Sequence, residues 1–227
     1  MPVLLLDPYH LGDPLFVTGL ARDLAARRGG LVLVHGSGER GERALEASGA
    51  VPREVDGVWA VETDGEAETV ERTTRELNRE IAHELNEAGV ASTRLVGADR
   101  GLLKGDGAGG VHVGRSGWLA ELVGRGVVAV VAALVAAPGA PALREVEAGR
   151  AAAALAGALA EPVLVLRRGR LDAQPDGPLS LGDGAVRTAL GAPEAARRAL
   201  AEGARVVAVD RAALRADGPV EGLDLTS

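Results

Sequence analysis

Short apolar runs alternate with amphipathic stretches along the chain, and this alternation determines the predicted structure. The runs at 2–6, 31–34, 90–96, 127–135, 163–166 and 205–210 are typical of buried strands in a parallel sheet. Between them, apolar residues recur at helical spacing in 16–28, 66–88, 118–124, 146–160 and 194–202. Strands separated by helices predict an α/β fold, a three-layer αβα sandwich with a central, mainly parallel sheet.

Glycine and proline mark the predicted connections. Loops are predicted at 7–14, at 102–117 and at 167–184, each by its glycine and proline content. The stretch 53–62 alternates apolar and polar residues around Asp56-Gly57, which predicts a hairpin. A further strand, at an edge of the sheet, is predicted near 223–225.

A glycine turn at Gly36-Ser37-Gly38 lies between a predicted buried strand and a predicted helix. A strand, a glycine turn and a helix start together direct backbone N–H groups and the positive helix end at an anion. Glycine also lets a phosphate or carboxylate approach closely, because no Cβ intervenes. A tight connection without any ligand is the equally weighted alternative. His35, which ends the strand, is interpreted as a structural histidine in preference to a ligand contact.

Composition limits the function classes. The 227 residues are 47% hydrophobic but only 2% aromatic, so the core must be aliphatic. A net charge of −7 argues against binding to nucleic acid or a membrane surface. The chain has no cysteine, and its four histidines are scattered, so no metal site is expected. The longest apolar run, 127–137, is too short to cross a bilayer, and no leader is recognised, which predicts a cytoplasmic protein.

Four segments carry a resemblance to a known family. The turn at 32–38 is similar to a strand followed by H-G-G-G, and 77–81 is similar to a V-N-K-x-[IL] helix. The turn at 95–103 is similar to L-S-G-x-D-G-x-L, and the helix at 146–159 is similar to one ending A-x-x-L-A-x-A-L. Together, in order and spacing, they resemble the amino-acid kinase family, and within it the N-acetylglutamate kinases and the carrier-linked aminoadipate kinases.

The resemblance implies one domain over 1–227, with a substrate-side lobe at 1–140 and a reduced nucleotide-side lobe at 141–227. The family binds ATP beside an acyl amino acid and transfers the γ-phosphoryl group to its carboxylate. Asn78 resembles a substrate-contacting asparagine, with a bond to loop backbone as its alternative. The ligand-binding candidates that the resemblance implies are Gly36, Ser37, Gly38, Asn78, Gly97, Asp99 and Lys104.

The chain departs from the family at its charged positions. The first strand ends Leu6-Asp7-Pro8, where the family has a lysine, and the family's second lysine falls near Ala192. The family's aspartate falls on Gly149, and its asparagine falls on Glu145. The only lysine of the chain is Lys104. Arg167, Arg168 and Arg187 are the candidates for substitute phosphate contacts, although an arginine fork does not reproduce a compact lysine charge.

Two function classes therefore remain. The favoured hypothesis is a protein that kept the fold, lost phosphoryl transfer and acts as a non-catalytic binding or regulatory paralogue, so no residue is assigned a catalytic role. The alternative is an active kinase for the carboxylate of an N-acylated amino acid in arginine or lysine biosynthesis, and only this alternative requires ATP and magnesium. The expected ligand is a small acidic metabolite or a nucleotide. The expected assembly is a homodimer or a hetero-oligomer with a related subunit.

Overall fold

The computed structural model describes residues 1–107, 109–137, 139, 141–169, 177–217 and 219–227. The helices are α1 (Pro8–Leu11), α2 (Phe16–Ala25), α3 (Gly38–Ala47), α4 (Asp64–Glu87), α5 (Gly117–Gly124), α6 (Ala148–Leu159), α7 (Gly184–Ala189) and α8 (Pro193–Ala201), with 3₁₀ turns at Asp99–Gly101 and Arg211–Arg215. The strands are β1 (Val3–Leu5), β2 (Val32–His35), β3 (Glu54–Val55), β4 (Val58–Trp59), β5 (Ser92–Val96), β6 (Leu103–Gly105), β7 (Val111–Val113), β8 (Val128–Ala132), β9 (Leu134–Val135), β10 (Arg144–Glu145), β11 (Val163–Leu166), β12 (Leu179–Ser180), β13 (Val206–Val209) and β14 (Leu223–Thr226).

Eight strands form the central sheet in the order β12-β14-β13-β11-β1-β2-β8-β5. Every neighbouring pair is parallel except β13 and β14, which run antiparallel. The predicted mainly parallel sheet is therefore confirmed. The prediction that the strand near 223–225 lies at an edge is wrong, because the two-residue strand β12 pairs with β14 on its outer side.

Alternating side chains of the sheet feed two separate apolar cores. Val3 and Leu5 of β1 point into one core, whereas Leu4 and Leu6 belong to the other. Helices α5, α6 and α8 cover the first face, and α2 and α4 cover the second. Both cores are aliphatic apart from Phe16, and this confirms the three-layer arrangement that the sequence predicts.

Local sequence explains the boundaries of two elements near the site. The β3–β4 hairpin turns at Asp56 and Gly57, which have φ of 52° and 83°. A two-residue type I′ hairpin turn requires positive φ at both of these positions. The predicted hairpin is thus confirmed. The long helix α4 begins with a capping box, in which Thr63 accepts the Glu66 N–H and the Glu66 carboxylate accepts the Thr63 N–H.

Two predicted loops contain regular structure. In 7–14, Asp7 caps the short helix α1, which begins at Pro8. In 102–117, β6 and β7 form an antiparallel hairpin in spite of the many glycines. In 167–184 the structure contains β12, whereas 170–176, including Arg170 and Leu171 of the arginine-rich segment, lie outside the described residues.

The carboxyl ends of β1 and β2 lie side by side in the middle of the sheet. The amino end of α6 and the β3–β4 hairpin reach the same region, where they line one cavity together with the end of β1 and the turn after β2. Ligands of open α/β sheets bind at this end of the strands. None of the described helices is both long enough and apolar enough to span a bilayer.

Candidate binding site

The glycine turn brings the backbone into close contact with a carboxylate of the chain itself. A Cβ added at Gly36 would lie 2.7 Å from Oε1 of Glu145, so a side chain there would displace this carboxylate. Gly38, at the start of α3, has a φ of +54°, a region that glycine enters without strain. The geometry predicted for an anion site is present, but β10 delivers a side chain into it.

Glu145 fills the anion position of the turn. The Ser37 backbone N–H donates to its Oε1, and the Ser37 hydroxyl donates to its Oε2 over 2.9 Å. Burial raises the pKa of Glu145 to about 7, the Ser37 hydrogen bonds counteract this, and the nearby Glu147 charge adds to it. The buried Ser37 N–H that could hold a ligand anion is therefore already satisfied within the chain.

Glu147 lies two residues further on and is also buried. It caps α6 by accepting the Arg150 N–H over 2.8 Å, and Nη1 of Arg198 lies 3.8 Å from its Oε1. Burial raises the pKa of Glu147, while these N–H groups and arginines counteract the effect. Two carboxylates thus stand close together at the amino end of α6.

An aspartate–histidine pair stands at the end of β1, the position where the resemblance implies a lysine. Buried Asp7 accepts the His10 N–H over 2.9 Å, and its Oδ2 lies 2.7 Å from His10 Nδ1. Gly191 packs against the pair, since a Cβ there would lie 2.5 Å from Oδ2 of Asp7. This pair therefore stands at the end of β1 in place of the cationic side chain that the resemblance implies.

These groups line one cavity of about 360 Å³. Its apolar wall includes Leu6, Pro8, Val58 and Trp59, and the Trp59 indole N–H donates to the Gly38 carbonyl over 2.9 Å. Among the described residues that line it, seven bear carboxylates and Arg198 is the one basic residue. The seven are Asp7, Glu39, Glu42, Glu54, Glu145, Glu147 and Glu194.

The position that corresponds to the family's aspartate is closed by packing. A Cβ at Gly149 would collide with the backbone carbonyl of Ala195 on α8 and lie 3.0 Å from Glu147 Oε2. Helices α6 and α8 therefore touch at this glycine. An aspartate at position 149 would force them apart.

The three candidate arginines lie outside the cavity lining. Arg167 forms an ion pair with Asp210, and Arg187 is exposed near the end of α7. Arg168 donates from Nε to the Thr188 carbonyl over 2.8 Å, and its guanidinium carbon lies 4.8 Å from the centroid of the Tyr9 ring. Tyr9 itself contributes to the lining, whereas Arg168 contacts this ring without contributing.

Asn78 and His35 are buried together beneath the site. The Asn78 amide nitrogen lies within 3.2 Å of the Leu95 and Val130 carbonyl oxygens and 3.1 Å from His35 Nε2. His35 Nδ1 donates to the Gly36 carbonyl over 2.9 Å, so Nε2 is the acceptor for Asn78. Burial, opposed by the Gly36 hydrogen bond and assisted by the Arg40 charge, lowers the pKa of His35 to about 4, which leaves the ring neutral at pH 7.

The remaining candidates lie apart from the cavity lining. Gly97 is buried, and a Cβ there would lie 2.6 Å from the Leu134 carbonyl oxygen. Asp99 accepts the Val96 N–H over 2.9 Å in its own turn. Lys104 is exposed on β6, opposite His112 of β7. Of the seven ligand-binding candidates, the structure brings Gly36, Ser37 and Gly38 to the cavity.

Sequence reasoning did not identify several lining residues as parts of a site. Glu145 and Glu147 lie in the segment Glu145-Val146-Glu147, whose alternation points both glutamates in one direction just before α6. That alternation ahead of an alanine-rich helix was the signal that could have found them. Trp59 and Arg198 gave none, because a hairpin and a distant helix bring them to the cavity. No group of three or more His, Asp or Glu side chains within the described ranges is arranged to hold a metal ion.

No protein-family model matches the chain. It is 33% identical over 102 residues to acetylglutamate kinase of Chloroflexus aggregans, a match that covers 45% of this chain and 40% of that relative. The chain therefore matches less than half of the length of this curated relative.

Two solved structures show the same arrangement of elements. N-acetylglutamate synthase from Neisseria gonorrhoeae, complexed with coenzyme A and N-acetyl-glutamate, has a TM-score of 0.64 and 18% identity, over 100% of this chain and 59% of that one. The T. acidophilum isopentenyl phosphate kinase product complex has a TM-score of 0.58 and 13% identity, over 100% of both chains. At these identities the similarity shows the fold alone.

Proposed function

The chain has the fold of the amino-acid kinase family, and from that premise we propose that it has lost phosphoryl transfer and acts as a non-catalytic binding or regulatory protein. The single observation that carries this proposal is the Glu145 carboxylate on the Ser37 N–H and hydroxyl, within the glycine turn. A phosphate or substrate carboxylate would have to displace this charge to reach the same donors.

Electrostatics support the proposal. Phosphoryl transfer passes through a transition state whose negative charge must be stabilised by cations and preorganised donors. Here seven carboxylate-bearing residues and one arginine line the cavity in the part of the chain that the structure describes. Removing one stabilising group from such a centre costs on the order of 10²–10³ in rate. Two missing lysines together with an added carboxylate leave little of the rate enhancement.

The packing observations point in the same direction. The Asp7–His10 pair occupies the end of β1, and α8 closes the space at Gly149. Both changes replace charged groups by internal contacts of the fold. A protein under selection for transfer would keep those positions open for charged groups, whereas a binding protein has no such requirement.

A hydroxamate trap tests the proposal. The purified protein is incubated with ATP, magnesium, hydroxylamine and N-acetylglutamate, beside the acetylglutamate kinase of Chloroflexus aggregans as the positive control. We expect the relative to form hydroxamate and this protein to remain at the blank, with ADP release also at the blank. Turnover well above the blank would favour the active-kinase alternative. Light scattering would test the proposed assembly with a second copy or a related subunit.

A further inference from the structure

The cavity itself indicates what the protein binds. We propose that it takes a small organic cation, an amine or guanidinium compound with a short aliphatic chain, at the carboxylates beside Gly36-Ser37-Gly38. This inference rests on the proposed non-catalytic function and names its ligand class. It differs from the small acidic metabolite that the family resemblance implies, because the lining has the opposite charge.

Some of the carboxylates that line the cavity have a basic partner, and others do not. Asp7, Glu39 and Glu194 are each paired with a basic side chain. Glu42, Glu54 and Glu145 line the same cavity and form no ion pair within the described ranges. Ser37 donates hydrogen bonds to Glu145 and Glu54 is exposed, but neither feature supplies a positive charge, so a ligand cation would balance the lining.

The negative charges of Glu145 and Glu147 act on each other at the amino end of α6. Burial raises the pKa of Glu145, and repulsion from the Glu147 carboxylate adds to this effect. Arg198 reaches Glu147 at 3.8 Å, whereas Glu145 is held by the Ser37 N–H and hydroxyl. A cation placed between the two glutamates would favour the ionised form of both.

The volume and the apolar wall of the cavity suit a small molecule with an aliphatic chain. A volume of about 360 Å³ lies at the lower end of the range for small-molecule sites. The wall of Leu6, Val58 and Trp59 suits an aliphatic chain, and aromatic rings attract cations. The Tyr9 ring already carries the Arg168 guanidinium at 4.8 Å from outside the cavity, so Trp59 is the lining ring left for a ligand cation.

An organic cation fits better than a metal ion. Metal ions require several oxygen or nitrogen ligands within a short radius. The described side chains contain no such group of three, so the negative charge is spread over the cavity wall. Spread charge with apolar surface between is suited to an extended molecule with a charged head.

Isothermal titration with probes of opposite charge tests the inference. 1,4-Diaminobutane and succinate share a four-carbon chain but carry opposite charges, and agmatine adds a guanidinium head. We expect agmatine and diaminobutane to bind at least about tenfold more tightly than succinate, N-acetylglutamate or inorganic phosphate. Equal or tighter binding of any of these anions would overturn the inference, as would the absence of agmatine binding.

Variants locate the binding. Glu145→Gln and Glu42→Gln remove lining charges, whereas Glu46→Gln removes an exposed charge from the same helix as Glu42. We expect the two lining variants to weaken agmatine binding by about tenfold, and Glu46→Gln to change it by less than about twofold. Unchanged affinity in both lining variants would overturn the site. Using two lining variants keeps the test valid if one of them does not fold.

Fluorescence gives an independent signal. The chain has two tryptophans, and Trp59 lines the cavity while Trp118 lies on α5. In a Trp118→Phe background, agmatine should change the Trp59 emission with the same midpoint as the titration. Hydroxamate formation would overturn the proposed function whatever the amines do. Failure of amine binding without turnover would overturn this inference alone.

Discussion

Asn78 illustrates how a polar side chain can serve the fold. Its amide nitrogen faces the carbonyl oxygens of Leu95 and Val130 and the His35 ring, so it joins α4 to three strands of the sheet. A buried acceptor that loses its donor costs about 1–3 kcal/mol. The residue therefore holds the helix on the sheet at a point where the sequence resemblance implies a substrate contact.

Asn78→Ala should lower the free energy of unfolding by about 2–4 kcal/mol, because it removes the two amide N–H donors that face three acceptors and leaves a small void. Urea denaturation at pH 7 measures this change. Asn86 is the matched control, since it lies two turns later on α4 and is exposed. Its side-chain oxygen accepts the Ser92 N–H over 3.1 Å. Asn86→Ala should cost less than about 1 kcal/mol. Equal costs for the two variants would argue against a structural role of Asn78.

Some features of the site could be predicted from single residues, and others could not. The glycine turn could be predicted, because glycine is the usual residue where the chain turns sharply, and Gly36-Ser37-Gly38 lies between a buried strand and a helix pattern. Its occupant could not be predicted, since Glu145 lies 108 positions away from Ser37 and only the tertiary fold brings them together. The same holds for Asn78, whose acceptors lie on separate strands.

At the scale of elements, the close contact of α6 with α8 shapes the site. Gly149 lies against the Ala195 carbonyl of α8. Gly157, two turns later on α6, is exposed, and a Cβ added there would meet no neighbouring atom of the described residues within 4 Å. Two glycines of one helix therefore serve different purposes. The first permits the approach of a neighbouring helix, and the second is a weak position in a helix interior.

Gly149→Ala should destabilise the protein by about 1–3 kcal/mol, because the added methyl group forces α6 and α8 apart. Gly157→Ala should stabilise it by about 0.5–1 kcal/mol, because alanine loses less backbone entropy in a helix. Thermal and urea unfolding of both variants measure the difference. Stabilisation by both substitutions would contradict the close contact between the helices.

Elements with strong patterns could be predicted, and weaker ones could not. The long helix α4 has apolar periodicity and a capping box, and the sequence places its ends within two residues. Helix α1 was missed because four residues are too few for a periodic signal, and its cap depends on Asp7. The β6–β7 hairpin was missed because its glycines suggest an irregular loop, although each of its strands is held by pairing with the other.

On the scale of the whole molecule, two titratable groups at the glycine turn affect the stability in opposite directions. The native pKa of His35 is about 4 against an ordinary 6.5, so its contribution is complete above pH 6.5 and is lost as the pH falls towards 4. The native pKa of Glu145 is about 7 against an ordinary 4.5, so its contribution is complete below pH 4.5 and is lost as the pH rises through 7.

The two dependences cancel between pH 4.5 and 6.5, because each contributes about 1.4 kcal/mol per pH unit with opposite sign. Glu145→Gln removes one of them while an amide can still accept the Ser37 N–H. The stability of this variant relative to the unchanged protein should therefore rise through the Glu145 titration and reach at most about 3 kcal/mol at pH 8.

Urea denaturation at pH 4.5, 5.5, 6.5 and 8 measures this difference, with Glu46→Gln as the exposed control from α3. The groups around the two titrating side chains are Ser37, Glu147 and Arg40, and all three remain in both variants. If the free energies of unfolding of Glu145→Gln and of the unchanged protein differ by the same amount at every pH, Glu145 ionises in its ordinary range. The glycine turn would then hold a charged carboxylate from pH 5.5 upwards, and a ligand anion would compete with it to about the same extent at pH 5.5 and pH 8.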